Sequence, residues 1–257
     1  MSDVFGAINA VVFDLDDTLC TYWDAAKAGL RATFKLHPIL DKTPEEMLLI
    51  WGSAYREFGP TIKTTEWYNE YLHSGEPTRI EQMRRTLAEV GVVNEGLAKQ
   101  LSDTYAFERK AALKLFPESL SVLHLIRARY PLGLLTNGPA DIQREEIARL
   151  GIESFFDGIF IEGEMEEGKP ESSVFYRVAL HFECQPSELL MVGNSYYHDI
   201  MPAVELGWHT AWIRRPSDVP PSADPRFAVP EERPKGGPTP DVEMGSLDEL
   251  LGYLDLA

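Results

Sequence analysis

The stretch Ala10–Cys20, AVVFDLDDTLC, decides how the chain is read. Val11-Val12-Phe13 is a short apolar run of the kind that forms a buried strand, and it ends in Asp14-Leu15-Asp16-Asp17-Thr18. Three carboxylates within four residues at a strand end carry a large desolvation cost unless something neutralises them. A divalent cation and a charged substrate are the usual reasons for accepting that cost. Side chains at i and i+2 of an extended chain point the same way, so Asp14 and Asp16 face one site and Leu15 turns into the core. The plainer alternative is a strand that runs into a turn, with Asp17 or Thr18 serving only as a cap.

The rest of the 257 residues allows one large domain or two modest ones. The formal net charge of −17 argues against nucleic-acid binding through a basic footprint, while a local positive pocket for an anionic substrate stays compatible with it. Two sparse cysteines, Cys20 and Cys184, imply no disulfide framework and suit a reducing, cytoplasmic setting. The start, MSDVFGAINA, has no basic region followed by an apolar core, so no signal peptide is expected. No run of eighteen apolar residues occurs, so no membrane span is expected either.

Residues 22–114 read as a helical insert, with helices over Trp23–Leu36, Pro44–Phe58, Thr65–His73, Pro77–Val90 and Glu95–Leu113. Thr43 caps and Pro44 opens the second of these, and Trp51, Tyr55 and Phe58 form a core stripe. Residues 1–21 and 115–257 read as an α/β domain. Its strands are Leu132–Leu135, Gly158–Ile161, Leu189–Val192 and His209–Ile213. Its helices are Pro117–Arg129, Asp141–Leu150, Ser172–Phe182, His198–Leu206 and Ser246–Leu254, the last with a Ser246/Glu249 capping box. This alternation predicts a Rossmann-like parallel sheet with helices on both faces and a site beyond the carboxyl ends of its strands. Arg214–Pro240, with eight prolines, reads as an irregular surface segment.

Four strand-end signals stand in order: Asp14-x-Asp16-x-Thr18, Thr136-Asn137-Gly138, Lys169-Pro170 and Gly193-Asn194-Ser195-x-x-x-Asp199. In this order they resemble the four motifs of the haloacid dehalogenase (HAD) superfamily, and the insert after the first motif is similar to that superfamily's helical cap. The tract from Thr136 to Leu180 resembles the small-molecule phosphatases typified by the N-acylneuraminate-9-phosphatases. The resemblance implies a Mg2+-dependent phosphatase acting on a small phosphorylated metabolite, as a monomer or homodimer, with no nucleic-acid or membrane partner.

On that resemblance Asp14 is the nucleophile that forms an acyl phosphate, and Asp16 is the acid for the leaving alcohol and then the base for water. Asp16 needs a raised pKa for this task. Thr136 offers a hydroxyl to the phosphate, the Asn137-Gly138 backbone approaches it closely, and Lys169 supplies a compact positive charge. For Mg2+ the resemblance implies the Asp14 carboxylate, the Asp16 carbonyl and a residue of the fourth motif. Here the chain departs from most relatives, with Gly193-Asn194 in place of Gly-Asp. The departure predicts weaker metal affinity or a direct role for Asp199. Trp23 is the cap-side candidate for a substrate contact, and His198 reads as a surface residue.

Two other functions share these features. A 2-haloacid dehalogenase uses the same fold and an aspartate nucleophile but typically lacks an acid at the position of Asp16. A non-catalytic phosphate-binding or interaction protein would account for Asn194 and the proline-rich segment.

Overall fold

The computed structural model describes residues 4–223 and 228–256. The first three residues of the start read for a signal peptide, and Pro225 and Arg226 of the proline-rich segment, lie outside the described residues.

Strand β1 (Ala10–Phe13) is buried along its whole length because it lies at the centre of a six-stranded parallel sheet. Its neighbours are β2 (Leu132–Thr136), with Val11 opposite Leu132, and β4 (Leu189–Gly193), with Val12 opposite Met191. Beyond β2 lies β3 (Gly158–Ile161); beyond β4 lie β5 (His209–Ile213) and β6 (Val242–Met244). The sheet grows to one side of β1 from β2 to β3 and to the other from β4 to β6. The topological switch therefore falls between β1 and β4, where a crevice opens at the carboxyl ends of the strands.

Alternation along β1 splits the core in two. Val11 and Phe13 join Leu123 and Ile126 of α6 (Ser119–Arg127), Ile147 of α7 (Ala140–Leu150) and Leu250 of α11 (Asp248–Tyr253). Ala10 and Val12 join Val174, Phe175 and Val178 of α9 (Ser172–His181) and Ala203 of α10 (Met201–Glu205). Gly151 ends α7 at φ 69°, in the left-handed region that a glycine reaches without strain.

Between β1 and α6 stand α1 (Tyr22–Leu36), α2 (Pro44–Ile62), α3 (Trp67–His73), α4 (Glu76–Glu89) and α5 (Glu95–Ala112). They pack a core of their own around Leu30, Phe34, Met47, Trp51, Met83, Leu101 and Tyr105. The Thr43–Glu46 capping box fixes the start of α2. The chain enters and leaves this cap side by side: Thr21 N–H donates to the Lys114 carbonyl at 2.9 Å and Phe116 N–H to the Leu19 carbonyl at 3.0 Å.

Several boundaries differ from expectation. Helix α2 runs on past Phe58 through Gly59-Pro60 to Ile62, since a proline this close to the end removes little of the hydrogen-bond ladder. The helix expected to start at His198 begins instead as a π turn, Tyr196–Ile200, with Ser195 accepting the His198 N–H. The last helix starts at Asp248, two residues after Ser246, although Glu249 still accepts the Ser246 N–H at 3.1 Å. Strand β6 and the four-residue α8 (Glu162–Met165) were not expected; each is too short to show a period.

Candidate active site

The crevice at the switch point is a cavity of about 580 Å³ lined by Asp14, Asp16, Thr136, Asn137, Lys169, Asn194 and Asp199, which brings all four motifs together. Leu15 is buried in the core between the two aspartates, as the alternation requires. Asp17 sits in the left-handed region at φ 56° and its carboxylate accepts the Trp23 N–H at 3.2 Å, close to the start of α1. The capping reading thus holds for Asp17 beside the two aspartates that face the cavity. Thr18 does something else: its hydroxyl lies 3.0 Å from Asp14 Oδ2 and 3.2 Å from Asn194 Oδ1.

Lys169 is buried between two carboxylates. Its Nζ donates to Asp14 Oδ1 at 2.7 Å and to Asp199 Oδ1 at 2.6 Å. Asp199 Oδ2 accepts the Ser195 N–H at 2.9 Å, so both of its oxygens already hold donors. The sequence reading offered Asp199 to a metal; the geometry engages it with Lys169. Gly193 makes room for this, because a Cβ there would lie 2.3 Å from Asp199 Oδ2. Main-chain contact fixes the lysine as well: Asn137 Nδ2 donates to the Lys169 carbonyl and Lys169 N–H to Asn137 Oδ1, each at 2.8 Å. The Asn137 side chain therefore clasps the third motif.

Thr136 and Gly138 were expected to offer donors to a phosphate. The Thr136 hydroxyl instead donates to Gln143 Oε1 at 2.9 Å, and Gln143 Nε2 donates to Asp16 Oδ2 at 3.2 Å. Gly138 N–H donates to Glu162 Oε2 at 2.9 Å. Glu162 is fully buried and draws its other donors from the cap, Lys63 at 2.6 Å and the Tyr68 hydroxyl at 3.1 Å. A buried carboxylate requires such partners, and Gly138 lies within its reach.

Burial dominates the electrostatics. It pushes the Asp14 carboxyl up to about 6; Lys169 pulls it down, and Asp199 adds to the rise. Burial also holds Asp16 well above the usual carboxylate range, helped by Glu146 and Asp14 and opposed by Arg109. Burial works against the Lys169 ammonium, but Asp14 and Asp199 outweigh it and keep the group charged.

The residues of the proline-rich segment are more than surface. Asp218, Pro220 and Glu231 line the cavity. Glu231 accepts from the Ser195 hydroxyl and from the N–H groups of Tyr196 and Tyr197. Arg215 donates to the Thr18 carbonyl at 3.2 Å and pairs with Glu118 at 2.8 Å, tying the first-motif turn to α6. Asn194 Nδ2 donates to Asp218 Oδ2 at 2.9 Å, which turns Asn194 Oδ1 toward Thr18 and the Asp14 side of the crevice. A neutral amide oxygen in that place is a donor atom Mg2+ accepts. Among the described residues no three carboxylate, imidazole or thiol groups converge as a cage for a metal. A cation here would take a mixed set of carboxylate, amide and carbonyl oxygens completed by water.

The model of the haloacid dehalogenase-like hydrolases matches residues 11–213. The N-acylneuraminate-9-phosphatase of Rattus norvegicus is 28% identical over 221 residues, which cover 85% of this chain and 87% of that protein. The glyceraldehyde 3-phosphate phosphatase of Methanopyrus kandleri is 30% identical over 214 residues, 81% of this chain and 84% of that one. Among solved structures, the L-2-haloacid dehalogenase of Xanthobacter autotrophicus superposes with a TM-score of 0.68 at 18% identity, covering 96% of this chain and 98% of that chain, a likeness of fold alone. The chain belongs to the haloacid dehalogenase-like hydrolases. Its sequence relatives put it with the phosphoric monoester hydrolases of that family. No helix among the described residues is long and apolar enough to cross a membrane.

Proposed function

We propose that the protein is a Mg2+-dependent phosphatase that hydrolyses a small phosphorylated metabolite through an aspartyl phosphate on Asp14. The observation that carries this reading is the position of Asp16. It lines both the motif cavity and a second cavity that opens into the cap, so it stands between the phosphoryl group and whatever leaves it.

In this mechanism the Asp14 carboxylate attacks phosphorus while Asp16, kept protonated by burial, gives its proton to the departing alkoxide. Asp16, now a carboxylate, takes a proton from water, which opens the acyl phosphate and restores Asp14. Lys169 holds Asp14 in place and neutralises charge on the phosphoryl oxygens. Gln143 orients Asp16 through its amide N–H. The Asp14 carboxylate, the Asp16 carbonyl and Asn194 Oδ1 would hold Mg2+, with Asp199 left to Lys169. The ion supplies Lewis-acid neutralisation of the phosphoryl group. The carboxyl at Asp16 also favours phosphatase over dehalogenase chemistry, in which a halide leaves without a proton.

The test is phosphate release from p-nitrophenyl phosphate by the wild type and by Asp14→Asn, with and without Mg2+. Release that needs Mg2+ and vanishes in the variant is expected. Turnover retained by a folded Asp14→Asn variant would falsify the assigned nucleophile.

A further inference from the structure

The second cavity, of about 160 Å³, runs from Asp16 and Asn137 into the cap between α2, α4 and α5. Its walls are largely aromatic, including Tyr22, Trp23, Trp51, Tyr55 and Tyr105. Three polar side chains on these walls each have a buried atom with no hydrogen-bond partner: Trp51 Nε1, Arg79 Nε and Gln82 Oε1. Buried polar atoms are nearly always satisfied, and each orphan costs free energy. All three belong to side chains that line this one cavity.

The chemistry of the ligand follows from the three groups. Arg79 is in no ion pair among the described residues; burial and a second guanidinium, Arg109, whose own charge is met by Glu146, work against its charge, and the Asp141 and Glu76 carboxylates favour it from a distance. An unpaired cation in an aromatic pocket calls for an anion. Trp51 Nε1 can only donate, so it too asks for an acceptor. Gln82 has its orientation fixed, because its Nε2 donates to the Trp51 carbonyl at 2.9 Å. Its free Oε1 therefore asks for a donor, a hydroxyl or an ammonium.

We propose that this cavity is a leaving-group subsite for the phosphate ester of a short hydroxy or amino acid, with the substrate carboxylate on Arg79 and Trp51 and its second polar group on Gln82. The subsite rests on the phosphatase reading for what enters the cavity. The volume limits the ligand: a cavity of about 150 Å³ takes a benzene-sized molecule. A leaving group of roughly six heavy atoms is of that size.

The experiment compares 3-phosphoglycerate with glycerol 3-phosphate, which lacks the carboxylate. Binding of each to Asp14→Asn is measured by calorimetry in Mg2+ buffer, and again after adding Arg79→Gln. A charged hydrogen bond lost from a buried site predicts about tenfold or more tighter binding of the acid, abolished by Arg79→Gln. The melting temperature of Arg79→Gln should not fall, because the change removes an unpaired cation; a merely structural arginine would lower it. Arg79→Lys keeps the charge and should keep part of the preference. Equal affinity for the two esters, binding of neither, or a preference that survives Arg79→Gln overturns the subsite. Turnover of p-nitrophenyl phosphate by the wild type reports separately on the phosphatase reading. A carboxylate preference without any phosphate release would leave the subsite standing and remove the activity.

Discussion

Asn194 gives its amide nitrogen to Asp218, 2.9 Å away, across the cavity that holds the first motif. The fourth motif thus meets an acid that arrives from the proline-rich segment, five residues past the end of the stretch the family model matches. Burial pushes Asp218 up to about 6; the Asn194 bond opposes this, and Glu231, Asp14 and Asp199 reinforce it.

The pairing predicts that Asn194→Asp, which restores the common motif, is harmful on its own. It removes the donor and sets two carboxylates face to face, at a cost of about 1–3 kcal/mol. A carboxyl raised in the folded state contributes stability that is complete below its unfolded pKa and is lost as pH rises through the folded value. The penalty should therefore be larger at pH 8 than at pH 5, where Asp218 is protonated and can donate. The double variant Asn194→Asp/Asp218→Asn should recover most of it. Thermal melts at the two pH values decide this, and an Asn194→Asp protein as stable as wild type at pH 8 would count against it.

Lys169 is the only counter-charge between Asp14 and Asp199 among the described ion pairs. Lys169→Gln leaves two buried carboxylates without it and should cost about 3–5 kcal/mol. Adding Asp199→Asn should return much of the stability but none of the phosphate release. Denaturant titration gives the first quantity and an activity assay the second. Equal stability of Lys169→Gln and wild type would show that the carboxylates were already neutral.

Asp17 offers a pH test of its own. Burial, then Asp218 and Asp16, push it up to about 9. Its contribution is complete below the unfolded value near 3.8 and drains away as pH climbs toward 9. Asp17→Asn keeps an oxygen for the Trp23 N–H and never ionises. It should melt several degrees above wild type at pH 8, at about 2–4 °C per kcal/mol for a domain of this size, with a smaller gain at pH 5. A gain that does not grow with pH would rule out the titration of Asp17 as its source.

Gly163 is where cap and sheet touch through backbone alone. A Cβ there would lie 2.0 Å from the Leu72 carbonyl oxygen of α3 and 2.3 Å from the Ala140 nitrogen of α7. Gly163→Ala must push α3 away at a cost of about 1–3 kcal/mol. Turnover should fall more than stability does, because the displaced helix carries Tyr68 while each domain keeps its own core. Unchanged kinetics would mean that the cap tolerates the shift.

Much of this was written locally. The sheet was legible where apolar runs ended at motif residues, as at Phe13-Asp14 and Leu135-Thr136, because strand period and strand end occupy neighbouring positions. Strand β6 was not, since its three residues, Val242–Met244, carry no period and form only against β5. In the site, Asp14 and Asp16 were legible from their i, i+2 spacing, and Lys169 and Asn194 from the resemblance of the ordered motifs to the haloacid dehalogenase superfamily. Asp218, Glu231, Gln143 and Glu162 were missed because their roles come from contacts between distant stretches. Arg79 and Gln82 carry no signal of their own in a charged helix, and only the fold of the cap brings them to one cavity.

Glu162 accepts one donor from the Gly138 loop and two from the cap. The cap therefore cannot lift from the sheet while leaving that loop as it was, because the same carboxylate would lose Lys63 and Tyr68 and have to seek water or new donors. Access to the crevice and the readiness of its second-motif loop become one event. The coupling runs through one side chain, Glu162, that is not among the residues lining either cavity.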